Sequence, residues 1–466
     1  MKLICVGHQR LYDLQSMASA FFPGESTHEG SPEVISEMVR QPNYGCRTVL
    51  CAENERYEAF VACAGEEAQA VRDAVKRSFF AVAVQYTDFT PDWGTFTGIR
   101  PAKEYARMGL SCEAFANVFD MTADKAQLCA DIVNVRKTLN LPTANNDISL
   151  YVSIPFCPTR CAYCSFISGA GEKMLTLIPE YMDALKQELT SIAELTVRRG
   201  LSVKTVYIGG GTPAVLSAQQ LADLAHVIRR DFGKDLLEFT VELGRPDAIT
   251  DEKLAAVHDG GADRICINPQ TLNDDILAAI GRRHTTEQFE QAMQMAHSYG
   301  FKAINCDLIA GLPQERPAGF AQSLDRVIAL GAQNITVHSL CLKQGSDFKT
   351  QSRDTVRSKT ASDMVAYSVE RLKGCGYAPY YLYKQKHAVA ALENTGWALD
   401  GTPSLYNILM MDDLGTVIGA GAGSSSKILG GDSPQRVYSP KYPYEYLRTD
   451  FSSKISAIEQ ALNKAQ

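Results

Sequence analysis

Long apolar segments are missing from this sequence of 466 residues. No window approaches the roughly 18 apolar residues that a membrane-spanning helix needs. The apolar stretch within residues 1–10 is too short for a secretory leader. We therefore expect a cytoplasmic protein without a membrane span.

An excess of positive charge and a disulfide pattern are also missing. The sequence has 46 Lys and Arg against 53 Asp and Glu, a net charge of −7. Because nucleic-acid partners usually require a basic face, we expect none here. The 13 cysteines are odd in number and scattered, which excludes a disulfide framework. Most lie in apolar runs and are expected to be small core residues.

Short strand-like runs alternate with amphipathic helices from residue 149 to about 375. Readable N-caps and terminal glycines bound the helices. Six βα units in a row predict a partial (β/α)6 TIM-like barrel, shorter than the ~250 residues of a complete one. The six apolar runs that predict buried parallel strands are 150–154, 205–208, 239–242, 264–268, 303–309 and 335–338.

Smaller α+β segments are predicted on both sides of this barrel. Residues 1–145 predict an N-terminal α+β and helical extension. Its predicted elements are strands at 2–6, 48–52 and 57–64, helices at 11–22 and from about 66, and a wholly helical stretch at 101–139. The barrel occupies 146–375. Residues 376–466 predict a C-terminal α+β tail.

Three cysteines follow the first predicted strand directly, in the pattern CxxxCxxC: Cys157, Cys161 and Cys164. Three thiolates on one loop can bind three irons of a 4Fe–4S cluster. The fourth iron then stays open to a ligand such as the amino and carboxylate groups of S-adenosylmethionine. The alternatives are three unrelated core cysteines or a zinc site, for which His284 or His338 would supply the fourth ligand. The spacing favours the cluster.

Distinctive residues stand at the ends of the other predicted strands, where barrels of this kind collect their functional groups. The run GGGTP at 209–213 offers bare N–H groups to a carboxylate, or simply makes a tight turn. Glu242 ends the third strand, and a buried carboxylate is costly without a partner. That partner is either a ligand's ammonium or ribose hydroxyls, or Arg245.

Four polar residues occupy or follow the remaining strand ends. Gln270 and Arg282 follow the fourth strand, and Asp307 belongs to the fifth. These three side chains either bind a ligand or tie the mouth of the barrel together. His338 ends the sixth strand, where a packed side chain and a catalytic one are equally compatible with the pattern.

Taken in order, these motifs resemble radical S-adenosylmethionine (SAM) proteins of the oxygen-independent coproporphyrinogen III oxidase group. The resemblance covers about 149–425 and includes YVSIPFC, CxxxCxxC, GGGTP, PQ, GRRH and DLIAGLP. Four further runs are similar to the coproporphyrinogen dehydrogenase branch, HemZ: TGIRP at 97–101, INPQT, YYLYKQK and GAGAGSSSK. That branch also has an N-terminal extension.

The resemblance implies a 4Fe–4S cluster and S-adenosylmethionine, one molecule or possibly two. It assigns the cluster to the three cysteines. It implies that the cluster-bound molecule contacts Tyr151, Tyr163, Gly210 and Glu242. The positions that would line a second molecule are Gly211, Thr212, Gln270, Arg282 and Asp307.

The activity implied by this resemblance is oxidative decarboxylation of two coproporphyrinogen III propionates to vinyl groups, which gives protoporphyrinogen IX. A flavodoxin or ferredoxin would serve as electron donor. Candidate cationic anchors for the propionates are Arg100, Lys343, Lys384 and Lys386, although each is individually more typical of a surface charge. No residue is assigned as catalytic.

One departure from the oxidase keeps other functions open. The oxidase proper has a further cysteine where this chain has Phe166, and CAYCSF is closer to the haem-chaperone branch. A haem-binding or haem-trafficking protein is therefore the main alternative. A haem-opening radical methyltransferase is a third, and the acidic balance disfavours a tRNA-modifying enzyme.

Overall fold

The computed structural model describes residues 1–22, 32–41, 43–52, 55–164, 169–341, 355–430 and 433–465. Phe166 and Lys343 lie outside these ranges. The chain forms two compact units, which interleave along the sequence. Unit 1 comprises Met1–Val133, Ser339–Tyr367 and Leu382–Asn394, and unit 2 comprises Asn134–His338, Ser368–Tyr381 and Thr395–Gln466. The division at 145 and 375 stays a prediction. No helix in the described ranges is long and apolar enough to cross a bilayer.

Unit 1 contains a four-stranded sheet in the order β1-β2-β3-β4, covered by two helices. Strands β1 and β2 are parallel, and the other neighbours are antiparallel. The elements of the first 138 residues are β1 (Lys2–Val6), α1 (Leu11–Phe21), β2 (Glu33–Val39), β3 (Gly45–Ala52), β4 (Glu55–Ala62), α2 (Ala68–Thr87), α3 (Pro101–Met108), α4 (Cys112–Phe119) and α5 (Ala123–Thr138). The core between sheet and helices includes Leu14, Met17, Val34, Leu50, Val75, Phe79 and Val82.

The sequence pattern predicted this sheet except for β2. Val34 and Ser36 both point inward on that strand and are fully buried. Because the buried Ser36 is polar, the sequence of β2 lacks the clear alternation of apolar and polar residues that indicates a strand. The Ser36 hydroxyl is satisfied by the imidazole Nε2 of His8 at 3.0 Å.

The barrel region is built from βα units. Ser217 and Thr285 form the predicted caps as full capping boxes, and Thr250 caps its helix as expected. The elements are β5 (Asp147–Ile154), β6 (Phe156–Cys157), β7 (Gly169–Ala170), α6 (Glu172–Leu175), α7 (Ile178–Arg199), β8 (Ser202–Gly210), α8 (Ala218–Phe232), β9 (Glu238–Gly244), α9 (Asp251–Asp259), β10 (Arg264–Ile267), α10 (Asp274–Ala279), α11 (Thr286–Ser298), β11 (Ala303–Ala310), α12 (Pro317–Ala329) and β12 (Asn334–Ser339).

The remaining strands join the same sheet. The C-terminal elements are α13 (Thr355–Gly374), β13 (Ala378–Lys384), β14 (Glu393–Ala398), α14 (Leu405–Met411), β15 (Thr416–Ala420), β16 (Ser425–Ile428), β17 (Gln435–Tyr438), α15 (Pro443–Tyr446) and α16 (Phe451–Ala465). Within the described residues the order is β13-β14-β12-β11-β10-β9-β8-β5-β15-β16-β17.

The six predicted strands are confirmed, since β5, β8, β9, β10, β11 and β12 are consecutive neighbours. The pairs from β5 to β11 are parallel. Beyond the prediction, β15 adds a parallel strand beside β5, and β14 pairs antiparallel with β12. The sheet keeps two free ends in the described part of the chain, so it is an open sheet and not a closed barrel.

A buried ion pair fixes the C-terminal segment to α7. The carboxylate of Glu188 is fully buried and accepts from Lys454 Nζ, Tyr446 Oη (2.6 Å) and the N–H of Gly421 (2.7 Å). Gly421 has φ +89°, and an added Cβ would lie 2.6 Å from the carbonyl oxygen of Ser153. The GAGAGSSSK run therefore carries a glycine because the tail passes directly against the end of β5.

Candidate cofactor site

The cysteine loop leaves the end of β5 and is held by backbone hydrogen bonds. The N–H of Ala162 donates to the carbonyl of Ile280 at 3.0 Å, and the N–H of Cys164 donates to that of Cys161 at 3.0 Å. Cys157, Cys161 and Cys164 form no disulfide and are partly exposed. The loop thus presents three cysteine thiols at the carboxyl edge of the sheet.

The chemistry of the donor set distinguishes the two metal groups considered above. The loop from Cys157 to Cys164 supplies three thiols and no His, Asp or Glu. A structural zinc site normally takes four such ligands. Three thiolates can bind three irons of a 4Fe–4S cluster, one each. The donor set fits the cluster.

The GGGTP turn packs directly against the cysteine loop. An added Cβ at Gly211 would lie 2.4 Å from the carbonyl oxygen of Phe156, and Gly210 has φ +115°. The N–H of Thr212 donates to that same carbonyl at 2.7 Å, and its hydroxyl donates to Cys157 Sγ at 3.4 Å. Close packing between the two segments therefore requires glycine here, which makes the tight-turn interpretation correct without excluding ligand contact.

Glu242 lies beside this turn, and none of the described residues gives it a cationic hydrogen-bond partner. Its carboxylate accepts from Tyr207 Oη at 3.1 Å and from Asn268 Nδ2 at 3.4 Å. Arg245 pairs instead with Asp247 at 2.9 Å, so the alternative Glu242–Arg245 salt bridge is not formed. Burial, reinforced by the nearby Asp307, raises the pKa of Glu242 to about 7.

Asn268 is a site residue that the sequence reasoning missed. It is 4% exposed, and its Oδ1 is buried without a hydrogen-bond partner in the described residues. This oxygen and the Glu242 carboxylate are thus two neighbouring hydrogen-bond acceptors that could both bind the donor groups of a ligand. The signal available in the sequence was its position at the end of β10, two residues before Gln270.

Arg282 connects the cysteine loop to the end of β10. Its Nε donates to Tyr163 Oη at 3.3 Å, and its Nη1 donates to the carbonyl of Asn268 at 2.6 Å. Arg245 Nη1 donates to Thr159 Oγ1, on the same loop, at 2.6 Å. Two arginines therefore brace the loop from the neighbouring strand ends.

Gln270, Asp307 and His338 meet at the adjacent strand ends. Gln270 adopts φ +71°, and its N–H donates to the carbonyl of Asp307 at 2.9 Å. The Asp307 carboxylate accepts from Asn305 Nδ2 at 2.8 Å and lies 3.5 Å from His338 Nε2. Burial alone would raise the pKa of Asp307, but His338 and the neighbouring donors hold it below its usual range. His338 is accordingly a packed, partnered side chain.

Tyr151 belongs to an aromatic stack beside Glu242. Its ring centroid lies 6.3 Å from that of Tyr207 and 6.4 Å from that of Tyr406, and Tyr207 and Tyr406 are stacked at 4.8 Å. Sequence reasoning selected Tyr151 and missed the other two. Tyr406 lies on α14, far away along the chain, and nothing local to it indicates the contact.

The Radical SAM superfamily model matches residues 151–327, which contain the cysteine loop and all the strand ends described above except that of β12. The chain covers 73% of the Escherichia coli HemN structure, described as a coproporphyrinogen III oxidase and a radical SAM enzyme. The two share 22% identity, again over 73% of this chain, with a TM-score of 0.53. The fold and the cysteine loop thus define a radical SAM protein, a class that implies a 4Fe–4S cluster and S-adenosylmethionine.

Two relatives identify the family within this class to which the chain belongs. The chain is 35% identical to the oxygen-independent coproporphyrinogen-III oxidase-like protein HemZ of Bacillus subtilis (strain 168), over 84% of this chain and 82% of HemZ. It is 31% identical to the heme chaperone HemW of Lactococcus lactis (strain IL1403), over 67% and 80% of the two lengths. This chain belongs to the HemN/HemZ/HemW family of radical SAM proteins, and its similarity to HemZ extends over most of its length.

Proposed function

We propose that this protein oxidatively decarboxylates two propionates of coproporphyrinogen III to vinyl groups, which yields protoporphyrinogen IX. The observation that carries the proposal is the 35% identity to HemZ over 84% of the chain, which extends well beyond the barrel. The partly buried carboxylate of Glu242 and the aromatic stack beside it also suit a site that shields a reactive intermediate from water.

Cys157, Cys161 and Cys164 would bind the cluster through their thiolates. When bound, the cluster and S-adenosylmethionine would supply the radical chemistry of the reaction. The protein's own contribution is to fix the loop, through Arg245 and Arg282, and to exclude water around it. Those two arginines are therefore proposed as positioning residues for the cluster loop.

Glu242 and Asn268 are proposed to receive the donors of S-adenosylmethionine. The carboxylate and the unpartnered Oδ1 together suit an ammonium or a pair of ribose hydroxyls, because either ligand group would satisfy both acceptors. A cationic donor would also favour the ionised carboxylate. Tyr151 and Tyr163 are proposed to flank the same ligand, with Gly210 supplying backbone contact.

We propose a single S-adenosylmethionine per chain. Three of the positions that would line a second molecule already have protein partners. Arg282 donates to Tyr163, Asp307 accepts from Asn305, and the N–H of Gln270 donates to the carbonyl of Asp307. Gly211 and Thr212 are occupied in packing the cysteine loop. Equilibrium dialysis of the reconstituted protein should therefore give one bound molecule per chain. Two per chain would instead assign a second site to these positions.

Each propionate would lose one hydrogen atom from its β-carbon, and that hydrogen would leave in 5′-deoxyadenosine, with methionine as the other product of S-adenosylmethionine. The carboxylate carbon would then depart as carbon dioxide, and one electron would pass to an external one-electron acceptor as the vinyl double bond forms. A flavodoxin or ferredoxin is proposed to supply the initiating electron.

The test is anaerobic incubation with dithionite, S-adenosylmethionine and coproporphyrinogen III. The expected result is 5′-deoxyadenosine together with mono- and divinyl products. Formation of 5′-deoxyadenosine without any vinyl product would contradict the proposal.

A haem chaperone is the second candidate, because the likeness to HemW covers 67% of this chain. The two functions separate in the same experiment. Tight, stoichiometric haem binding with no conversion of coproporphyrinogen would support the chaperone. Turnover with only weak haem binding would support the decarboxylase.

A further inference from the structure

Unit 1 contains a small pocket of its own. Two sequence motifs without a role in the proposed radical chemistry meet at this pocket: TGIRP at 97–101 and the end of YYLYKQK. The N–H of Lys384, in the second motif, donates to the carbonyl of Ile99, in the first, at 2.8 Å. The volume of about 40 Å³ has room for a few water molecules or one small head group. Residues lining it are Ser16, Met17, Ser19, Ala20, Gly94, Phe96, Thr97, Gly98, Ile99, Lys384, Gln385, Lys386, His387 and Ala391.

The lining is basic. Lys384, Lys386 and His387 contribute to it, and none of the described lining residues is a carboxylate. The Lys384 side chain is buried, contrary to the surface charge expected from sequence. Its ammonium donates to the carbonyl of Phe96 at 3.0 Å and lies 5.0 Å from the centre of the Trp93 ring.

Two acidic groups near Lys384, Glu393 and Asp92, are both paired with Lys125 instead. Glu393 accepts from Lys125 Nζ at 2.6 Å and from Trp93 Nε1 at 2.7 Å. In the described part of unit 1, Lys384 thus has a carbonyl and an aromatic face but no carboxylate partner. Burial lowers its pKa to about 7, as expected for a cation whose charge is poorly compensated.

A second basic group reaches the pocket through Thr97. Lys76 Nζ donates to Thr97 Oγ1 at 2.7 Å, which leaves the hydroxyl proton free to point elsewhere. The Thr97 side chain belongs to the pocket lining. Two lysines therefore favour negative charge at this place, one directly and one through a hydroxyl.

Part of the pocket lining has an unusual backbone conformation. His387 and Ala391, which line the pocket, and the adjacent Ala390 have φ of +64°, +53° and +54°. Non-glycine residues seldom adopt this left-handed conformation, and it clusters at ligand sites. The surrounding structure holds this part of the lining in place at an energetic cost.

We infer that this pocket binds an oxyanion head group, a carboxylate or a phosphate, through the Lys384 ammonium and the Thr97 hydroxyl. An anion would supply the charge partner that Lys384 lacks. The head group has two chemical sources, a propionate of a tetrapyrrole or a free phosphate-bearing molecule. The inference does not depend on the decarboxylase activity, because it concerns binding alone.

The test is a binding titration on the reconstituted protein, followed by the fluorescence of Trp93, whose ring lies against Lys384. Phosphate, propionate and coproporphyrin III are the three probes, each compared with chloride at equal ionic strength. The variants are Lys384→Met, Lys384→Arg and, as a control, the exposed Lys103→Met. The dissociation constant for at least one probe should rise tenfold or more in Lys384→Met, and should change less than threefold in Lys384→Arg and Lys103→Met.

The pattern of probes identifies the source of the head group. Lys384-dependent binding of coproporphyrin III but not of phosphate assigns the pocket to propionates, whereas binding of phosphate assigns it to free phosphate-bearing molecules. The inference is wrong if the wild type binds none of the three above chloride. It is equally wrong if Lys384→Met binds them as tightly as the wild type does.

Discussion

Two buried or partly buried glutamates, one in each unit, differ in how their charge is compensated. In unit 1, Glu393 is 1% exposed and accepts from Lys125 and Trp93; burial would raise its pKa, but the Lys125 ammonium holds it below the usual value. In unit 2, Glu242 accepts from the neutral donors Tyr207 and Asn268, and its pKa rises to about 7. A compensated carboxylate stabilises the fold, whereas an uncompensated one marks a place prepared for a ligand.

The largest expected effect comes from breaking the compensated pair. Glu393→Gln leaves the buried Lys125 ammonium with only the more distant Asp92 carboxylate, at 3.8 Å, which should lower the free energy of unfolding by about 3 kcal/mol. Urea denaturation measures it. The matched control is Glu290→Gln, which breaks the more exposed pair with Arg326 and should cost less than about 1 kcal/mol. Equal losses of unfolding free energy in the two variants would show that the buried Glu393 pair stabilises the fold no more than an exposed pair does.

The uncompensated carboxylate should respond in the opposite way. Glu242→Gln removes a carboxylate that no cation in the described residues pairs with, so the variant should be at least as stable as the wild type at pH 8. Binding of S-adenosylmethionine should weaken about tenfold or more, which corresponds to about 1.4 kcal/mol. Equilibrium dialysis at pH 8 measures the binding. A strongly destabilised variant with unchanged affinity would reverse the assignment.

The smallest effect is a pH dependence. Because the folded pKa of Glu242 lies above that of the unfolded chain, the native state binds more protons, and Glu242 should reduce stability as the pH rises from about 4.5 to 7. Glu393 has a lowered pKa, so its contribution is present at neutral pH and is lost as the pH falls.

The difference between wild-type and Glu242→Gln stability, followed by urea denaturation across this range, isolates the first effect. In the variant, the fall in stability between pH 4.5 and 7 should be shallower than in the wild type. Parallel pH profiles of the two proteins would contradict the raised pKa.

Local sequence patterns predicted the six barrel strands, the N-caps of the helices between them and the cysteine loop. Ser217 and Thr285, for example, are visible as capping boxes because both partners lie within four residues. The loop was visible because all its thiols lie within eight residues of sequence. Periodicity and spacing carry this kind of information, and the fold follows from it.

Contacts between distant segments could not be predicted in the same way. Glu188 and Lys454 are 266 residues apart, yet form one buried pair. Tyr406 reaches the stack beside Glu242 from a helix that the sequence did not relate to the barrel. Neither contact leaves a periodic trace, because only the folded chain brings the partners together. The Asn268 carboxamide was missed for a similar reason, since its orphaned oxygen is a property of packing.

The central claim is that Cys157, Cys161 and Cys164 bind a 4Fe–4S cluster. The most direct measurement is iron content, with the visible absorption spectrum, after anaerobic reconstitution of the wild type and of the three cysteine-to-alanine variants. Cys375→Ala, outside the loop, serves as the control. The wild type and the control should bind about four irons per chain, and each loop variant should lose most of that iron and the cluster absorption. Full iron and an unchanged spectrum in the loop variants would contradict the account.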